Sequence, residues 1–389
     1  MATSQTAMRL VDCDVHPHFQ HGLADLAPFL EPSWRKRMRL DRKQEEWASA
    51  VPASAYVLPK NEIYLPTMGA MRRDASESAG KVPASDPKFV GQHLLDKHGI
   101  DRAVLIGGNV LGLSALPDPL LATALARAYN DWLSETWLRA DERFRGCVLV
   151  PVQDPVAAAA EIRRVAERPA MVGVMLPVGE SLIGESRFHP IYDAAQETGL
   201  PVLIHLAGTE SIFARGAQFP GGPPTYYIEW HVGVASVYQA NITSLLVHGV
   251  FQRFPRLRVA VVEGGVAWLL ELMWRFDKDW MALRDEIPWL NRRPSECLRE
   301  FVKLTVQPMP EPPRKEDFVR FVEMTGSQEM LMFSSDYPHW DFDNPMSALT
   351  GLPAALRERI QVLNAVDLFG PRLGSVGSEI GPVVTTSNS

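Results

Sequence analysis

Residues 146–177 read GCVLVPVQDPVAAAAEIRRVAERPAMVGVMLP, and this stretch decides the fold. Two short runs rich in Val and Leu stand at its ends, and both are continuously apolar, as is typical of parallel strands covered on both faces. The segment between them carries the start and stop signals of a helix. Asp154 takes the N-cap position, Pro155 lies in the first turn and Pro169 follows the last turn. The stretch therefore predicts a strand, a helix and a second, parallel strand.

Runs of the same kind recur along the chain. The eight predicted strands are MRLVDC (8–13), RAVLIG (102–107), GCVLVP (146–151), MVGVMLP (171–177), PVLIH (201–205), LRVAVVE (257–263), FVKLTVQ (301–307) and MLMFSSD (330–336). Helix-like segments separate them, and one such segment ends at Gly199, which suits a left-handed helix cap. Eight strands alternating with helices predict one α/β domain, a (β/α)8 TIM barrel over residues 1–370.

Two segments do not fit the simple repeat. The stretch from about 17 to 90, between the first two strands, is too long for one connection, and we predict a lid or an elaboration of the substrate pocket there. Residues 371–389 are rich in Gly, Ser and Thr and predict a flexible tail. The tail and the tryptophans predicted to be exposed indicate a homo-oligomer, specifically a dimer.

Composition limits the partners and the compartment. The formal charge is −7 and basic runs are absent, so the sequence gives no reason to expect nucleic acid or an anionic membrane as a partner. The three cysteines are too few and too scattered for a disulfide framework, and the N-terminus lacks a secretory pattern. These features predict a cytoplasmic protein that acts on a small molecule.

Polar side chains that can bind a metal follow four of the predicted strands. Asp14 and His16 follow the first strand, His205 ends the fifth, Glu263 ends the sixth and Asp336 ends the eighth. Residues two apart in an extended segment point to the same side, so Asp14 and His16 can bind one ion. Carboxylates with imidazoles suit zinc or manganese, and the carboxyl ends of barrel strands carry the active site.

The order of several motifs resembles the amidohydrolase superfamily. These motifs are DCDVHP (12–17), PVLIH (201–205), FPRLRVAVVEGGVAWLLELMWRFD (254–277), FSSDYPHWD (333–341) and LNAVDLFG (363–370). Within the superfamily, the chain resembles the amidohydrolase-related branch that contains aminocarboxymuconate-semialdehyde decarboxylase and resorcylate-type decarboxylases. The resemblance implies a distorted barrel and one divalent ion, with zinc expected first and manganese second.

The resemblance also implies which residues hold the ion. Asp14 and His16 match the ligand pair of the first strand, and a shift of two places makes His18 the alternative partner of His16. His205 matches the ligand of the fifth strand. Asp336 matches the aspartate of the eighth, which in the hydrolases also accepts a proton from the attacking water. The fourth strand has no lysine to bridge a second ion, and Glu263 stands where the decarboxylases of the branch commonly have histidine.

Glu263 favours hydrolysis as the first of two predicted reactions. A water activated by the ion, with Asp336 and Glu263 as catalytic groups, would attack a small cyclic or aromatic amide or lactone. The alternative reaction is the non-oxidative decarboxylation of a hydroxyaryl or dienoic acid, and a metal-free binding or scaffold barrel is the alternative of another class. Three further side chains are candidates for substrate binding: His231, His339 and Arg72.

Overall fold

Eight parallel strands form the centre of the molecule. The computed structural model describes residues 9–40, 71–78, 80–108, 110–206 and 225–374. The strands are β1 (Val11–Val15), β2 (Arg102–Leu105), β3 (Phe144–Leu149), β4 (Met171–Val178), β5 (Val202–Leu206), β6 (Val259–Val261), β7 (Val302–Thr305) and β8 (Leu331–Met332). Each strand pairs with the next one in sequence, and every residue of β1, β4 and β5 is buried. The predicted TIM barrel is confirmed.

Backbone hydrogen bonds join the last strand to the first. The Cys13 N–H donates to the Phe333 carbonyl, the Asp336 N–H to the Asp14 carbonyl, and the His16 N–H to the Tyr337 carbonyl. These bonds nearly close the barrel, and they bring the segments after β1 and β8 side by side. The segment that carries Asp14 and His16 is therefore held against the one that carries Asp336.

Helices follow the strands and cover the barrel. The α-helical segments are Pro32–Arg37, Pro87–Val90, Pro119–Trp132, Pro155–Ala166, His189–Thr198, Tyr227–Gly233, Ala235–Val247, Val250–Arg253, Trp268–Leu283, Pro294–Phe301, Lys315–Thr325, Ala354–Glu358 and Asn364–Phe369. The predicted cap of the Pro155–Ala166 helix is confirmed, because the Asp154 carboxylate accepts hydrogen bonds from the backbone N–H groups of Val156 and Ala157. Gly199 ends the His189–Thr198 helix with a φ of 70°, in the left-handed region.

Two strands end earlier than the apolar runs predict. The sixth run was predicted to extend to Glu263 and the eighth to Asp336, but β6 ends at Val261 and β8 at Met332. Glu263 and Asp336 have φ values of 57° and 58°, a left-handed conformation that side-chain-bearing residues rarely adopt. The chain therefore turns at both carboxylates, and such local strain is concentrated at functional sites.

Parts of the two irregular segments lie outside the described residues. Of the predicted lid at 17–90, residues 41–70 and 79 are not described, and residues 375–389 of the predicted tail are likewise not described. The described part of the first segment includes the helix Pro32–Arg37 and Arg72, whose backbone N–H donates to the Pro338 carbonyl after β8. None of the helices in the described ranges is long and apolar enough to cross a membrane.

Candidate metal centre

Asp14, His16, His205 and Asp336 meet at the carboxyl ends of the strands. His16 Nε2 lies 3.2 Å from Asp14 Oδ1 and 2.9 Å from Asp336 Oδ1. Asp14 Oδ2 lies 3.9 Å from His205 Nε2, so Asp14 stands between the two imidazoles. At most 1% of the surface of each of these four residues is accessible to solvent. The structure thus brings together the four ligands predicted from the sequence.

Backbone carbonyls orient the two imidazoles. His16 Nδ1 lies 3.2 Å from the Ile106 carbonyl oxygen, and His205 Nδ1 lies 2.6 Å from that of Leu206. A carbonyl oxygen only accepts, so each Nδ1 carries a proton and donates it. In the neutral ring, Nε2 then presents its lone pair to the carboxylates, which is the orientation of a metal-binding histidine.

Four polar atoms at the centre are buried and form no hydrogen bond with the described residues. They are both carboxylate oxygens of Asp14, His16 Nε2 and His205 Nε2. Buried polar atoms in folded proteins almost always have a partner, and facing lone pairs repel one another. A divalent cation among these atoms would satisfy all four. Imidazole nitrogens and carboxylate oxygens are donors that zinc and manganese accept, so the residues present fit the implied ion.

Burial and neighbouring charges shift the pKa values of the same residues. Burial raises the pKa of Asp14 and Asp336 well above its usual range, and neighbouring carboxylates add to both shifts. Burial lowers the pKa of His16, so that ring is held neutral. Burial also opposes a charge on His205, but the adjacent Glu263 carboxylate outweighs it and the pKa of His205 is raised.

Glu263 belongs to this cluster. Its Oε2 lies 2.9 Å from His205 Nε2, and 17% of its side chain is exposed. Asp14, His16, His205 and Glu263 form one group of close ligand atoms, and His16, Asp336 and His339 form a second that shares His16. Glu263, which the sequence predicts as a functional residue near the end of the sixth strand, is therefore a carboxylate that can act as a ligand, a proton carrier or a hydrogen-bond partner of His205.

His18, the alternative partner of His16, has a different environment. Its Nδ1 lies 3.0 Å from the Pro83 carbonyl oxygen, and its ring fills the space beside Gly108, where a Cβ would be 2.6 Å from the His18 ring. Burial lowers the pKa of His18 to about 4. His18 lies outside both groups of close ligand atoms found among the described residues, so the geometry favours Asp14 as the partner of His16.

The three candidates for substrate binding lie at unequal distances from the centre. His339 Nδ1 is 2.6 Å from Asp336 Oδ1, so His339 belongs to the cluster itself. His231 Nε2 is 3.0 Å from Asp341 Oδ2, at the rim of the site. The Arg72 guanidinium pairs with Asp74 at 2.7 Å and stacks over the Phe342 ring. The structure gives Arg72 a carboxylate partner of its own and does not bring it into the cluster.

Gln307 was not predicted, and it connects the rim to the centre. Its Nε2 donates to Asp341 Oδ2 at 3.0 Å and to Asp336 Oδ2 at 3.3 Å. A polar path therefore runs from His231 through Asp341 and Gln307 to Asp336. Gln307 is the last residue of the seventh apolar run, and a search of every strand end for polar residues would have found it.

Asp12 positions the two segments that carry ligands. Its carboxylate accepts hydrogen bonds from the Ser335 backbone N–H at 2.9 Å, from Ser335 Oγ at 2.6 Å and from the Asp14 N–H at 3.3 Å. Asp12 is fully buried, and burial raises its pKa to about 7 in spite of these bonds. It therefore links β1 to the segment after β8, directly beneath Asp14 and Asp336.

Substitution of Asp12 by alanine is expected to lower the free energy of unfolding by about 1–3 kcal/mol, because buried donors of Ser335 and Asp14 lose their acceptor. Urea denaturation of the purified variant measures the change. Ser334→Ala is the matched control, since the Ser334 hydroxyl is buried without a hydrogen-bond partner among the described residues and its loss should be nearly neutral. A loss below about 0.5 kcal/mol for Asp12→Ala, the usual range for surface changes, would contradict this role.

A parallel barrel with imidazoles and carboxylates clustered at the carboxyl ends of its strands defines a barrel enzyme with a metal-type site. The chain belongs to the Amidohydrolase family (Amidohydro_2), whose model matches residues 117–370, more than half of the chain. The matched range includes His205, Glu263 and Asp336. The resemblance inferred from the sequence motifs is confirmed.

The similar proteins and the similar solved structures both carry the names of resorcylate-type decarboxylases. A gamma-resorcylate decarboxylase from Rhodococcus jostii is 24% identical over 335 residues, which are 80% of this chain and 98% of that protein. A structure of 2,6-dihydroxybenzoate decarboxylase with bound 2,6-dihydroxybenzoate matches with a TM-score of 0.63 and 21% identity over 93% of this chain and 99% of that one. A dihydroxybenzoic acid decarboxylase from Polaromonas sp., with bound manganese and 2-nitroresorcinol, matches with a TM-score of 0.63 and 19% identity over 94% and 97%. These names favour decarboxylation over the hydrolysis predicted first.

Proposed function

We propose that the protein is a metal-dependent decarboxylase that removes carbon dioxide from a hydroxyaryl carboxylic acid without oxidation. The observation that carries the proposal is the buried cluster at the strand ends, where the unpartnered atoms of Asp14, His16 and His205 lie close together and His16 Nε2 also lies 2.9 Å from Asp336 Oδ1. The named relatives supply the reaction class, and one related structure contains manganese. We therefore propose manganese or zinc as the ion.

The four clustered residues would hold the ion, which when bound supplies positive charge that binds a carboxylate and a neighbouring hydroxyl oxygen. The remaining task of the chain is to deliver a proton to the ring carbon that bears the carboxylate. The C–C bond to the carboxylate then breaks, its electron pair returns to the ring, and carbon dioxide leaves. Asp336 and His339 share a proton between Oδ1 and Nδ1 across 2.6 Å, and this pair is the proposed proton source.

An aromatic cluster at the rim suits an aryl substrate. Tyr227 stacks on Trp230 with ring centroids 5.6 Å apart, and the Trp340 ring lies 5.4 Å from that of His231. Trp340 Nε1 donates to the Tyr227 hydroxyl at 3.2 Å. Polar contacts connect His231 through Asp341 and Gln307 to Asp336, so this aromatic cluster lies beside the metal centre. Its faces can stack on the ring of a benzoate-type acid.

Substitution of Trp340 by alanine is expected to raise KM for an aryl acid about tenfold and to change kcat less than threefold. Stacking on an aromatic face is worth about 0.5–1.5 kcal/mol beyond the area that it buries, and 1.36 kcal/mol corresponds to a factor of ten. Steady-state kinetics measures both constants. Trp274→Ala serves as control, because Trp274 is similarly exposed, at 58%, but lies on the outer helix Trp268–Leu283. An unchanged KM in Trp340→Ala would contradict the stacking role.

The proposed reaction is tested by incubating the manganese- or zinc-loaded enzyme with two panels of compounds. One panel contains hydroxybenzoates, including 2,6-dihydroxybenzoate, and the other contains aryl lactones and amides. We expect carbon dioxide release from at least one hydroxybenzoate and no turnover of the second panel. Turnover of a lactone or amide, with no carbon dioxide from any acid, would overturn the proposal in favour of hydrolysis.

Hydrolysis remains the second candidate because of Glu263. Its carboxylate lies beside His205 and can accept a proton from a water that attacks a carbonyl carbon. Glu263→Gln keeps the size of the side chain and removes its charge. For decarboxylation we expect a loss in kcat of about tenfold, since Glu263 only supports His205. A loss of a thousandfold or more, with the metal retained, would make Glu263 the general base and favour hydrolysis.

A further inference from the structure

A second concave site lies on the face of the barrel opposite the metal centre. The N-terminal ends of β2, β3 and β4 border a cavity of about 800 Å3. Three arginines line it: Arg102 is the first residue of β2, Arg145 the second residue of β3, and Arg372 lies in the turn Gly370–Leu373. We call these three residues the arginine pocket.

Backbone carbonyls hold the three guanidinium groups in place. Arg102 Nε donates to the Leu373 carbonyl at 2.8 Å, and Arg145 Nε donates to the Arg372 carbonyl at 2.9 Å. Arg372 Nη1 donates to the carbonyls of Ala166 and Met171. Within the described ranges, no carboxylate lies at ion-pair distance from any of the three. These bonds therefore fix the groups without neutralising their charge.

Two of the guanidinium ends lie close to each other beside Gly374. A Cβ on Gly374 would lie 2.8 Å from Arg102 Nη2 and 3.3 Å from Arg145 Nη2. Gly374 has a φ of 109°, where residues with side chains are strained, so a glycine at this position leaves the two Nη2 atoms uncovered by a side chain. Burial, followed by the neighbouring Arg102, lowers the pKa of Arg145 to about 10. The Arg145 guanidinium is nevertheless charged at neutral pH.

We propose that the arginine pocket binds the phosphate group of a phosphorylated small molecule. Partly buried arginine N–H groups that already have fixed directions match the oxygens of a phosphate. The cavity volume falls within the range of about 300–1,000 Å3 that is usual for small-molecule sites. Glu142 and Glu167 also line the cavity and are exposed at its rim, so an extended polyanion such as nucleic acid is disfavoured.

Isothermal titration calorimetry of the metal-loaded protein, with inorganic phosphate and separately with adenosine monophosphate, tests the proposal. We expect saturable binding of one equivalent of at least one of them, weakened at least tenfold in Arg145→Gln. Tighter binding of the nucleotide would indicate a phosphorylated metabolite, and equal binding would indicate free phosphate; both support the site. Binding that persists in His205→Ala lies outside the metal centre.

Two further variants show whether a loss of binding in Arg145→Gln comes from misfolding of that variant. Gly374→Ala keeps all three arginines but places a methyl group against the Nη2 atoms of Arg102 and Arg145, so binding should be lost. Glu167→Gln removes a repelling charge and should tighten binding about threefold. Arg275→Gln, at an exposed arginine paired with Asp279, is the control that should bind like the wild type. Absence of saturable binding at millimolar phosphate and nucleotide, or wild-type affinity in Arg145→Gln, Gly374→Ala and Glu167→Gln alike, would overturn the proposal.

Discussion

Replacement of His205 by alanine is expected to lower the bound divalent metal from one equivalent to less than a tenth, and aryl-acid turnover at least a thousandfold. His205 Nε2 is one of four buried, unpartnered atoms that face one another, and its loss leaves the carboxylates of Asp14 and Glu263 without their imidazole neighbour. Elemental analysis of the purified variant gives the metal content. The decarboxylation assay gives the rate under the same conditions.

The matched control is His18→Asn. His18 is also a buried histidine near the end of β1, but it bonds to the Pro83 carbonyl and lies outside the ligand groups of the described residues. This variant should keep one equivalent of metal. If His18→Asn loses the ion and His205→Ala keeps it, the ligand set proposed for this protein is wrong.

Substitution of Asp336 by asparagine is expected to lower kcat about a thousandfold. The side chain keeps its size, but it loses the charge that faces His16 and can no longer share a proton with His339. Positioned proton transfer alone contributes about 10²–10⁴-fold to enzymatic rates. Single-turnover measurements at saturating metal separate the loss of chemistry from weaker metal binding, because added metal restores occupancy but not the missing proton carrier.

Asp343→Asn is the control for Asp336. Asp343 lies on the same segment after β8, and its carboxylate accepts a hydrogen bond from the Met309 N–H at 2.8 Å. We expect its kcat to stay within a few-fold of the wild type. A kcat for Asp336→Asn within tenfold of the wild-type value would remove Asp336 from the proposed proton path.

The strands and the carboxylate and imidazole side chains at their ends could be predicted because both depend on local sequence. Continuous apolar runs such as MVGVMLP are expected only where both faces of a strand are buried, and β4 is buried along its whole length. Asp14 and His16 share a side through the two-residue repeat of extended chain. The carboxyl ends of neighbouring parallel strands meet at one face, which brings His205 and Asp336 to the same place.

Contacts that depend on side-chain direction could not be predicted in the same way. Asp12 lies two residues before Asp14, and its carboxylate accepts a hydrogen bond from the Ser335 hydroxyl, more than three hundred residues away in the sequence. Arg72 was expected to bind the substrate, but its guanidinium instead pairs with Asp74, two residues further along the chain. Convergence of Arg102, Arg145 and Arg372 depends on the geometry of the barrel's opposite face, which no local pattern encodes.

The preference between the two reactions also changed. The sequence favoured hydrolysis because Glu263 is a carboxylate where the decarboxylases of the branch commonly have histidine. In the structure Glu263 contacts His205 and keeps partial access to solvent, so it is as compatible with a supporting role as with a general base. The relatives named above then favour decarboxylation.

The central claim is that one divalent ion lies among Asp14, His16, His205 and Asp336. Anomalous X-ray diffraction from crystals loaded with manganese or zinc tests it most directly. The predicted result is a single peak with an oxygen of Asp14, His16 Nε2, His205 Nε2 and an oxygen of Asp336 at coordination distances of about 2.0–2.2 Å. A map without a peak at this point, or one in which His18 replaces Asp14 as a ligand, would contradict the claim.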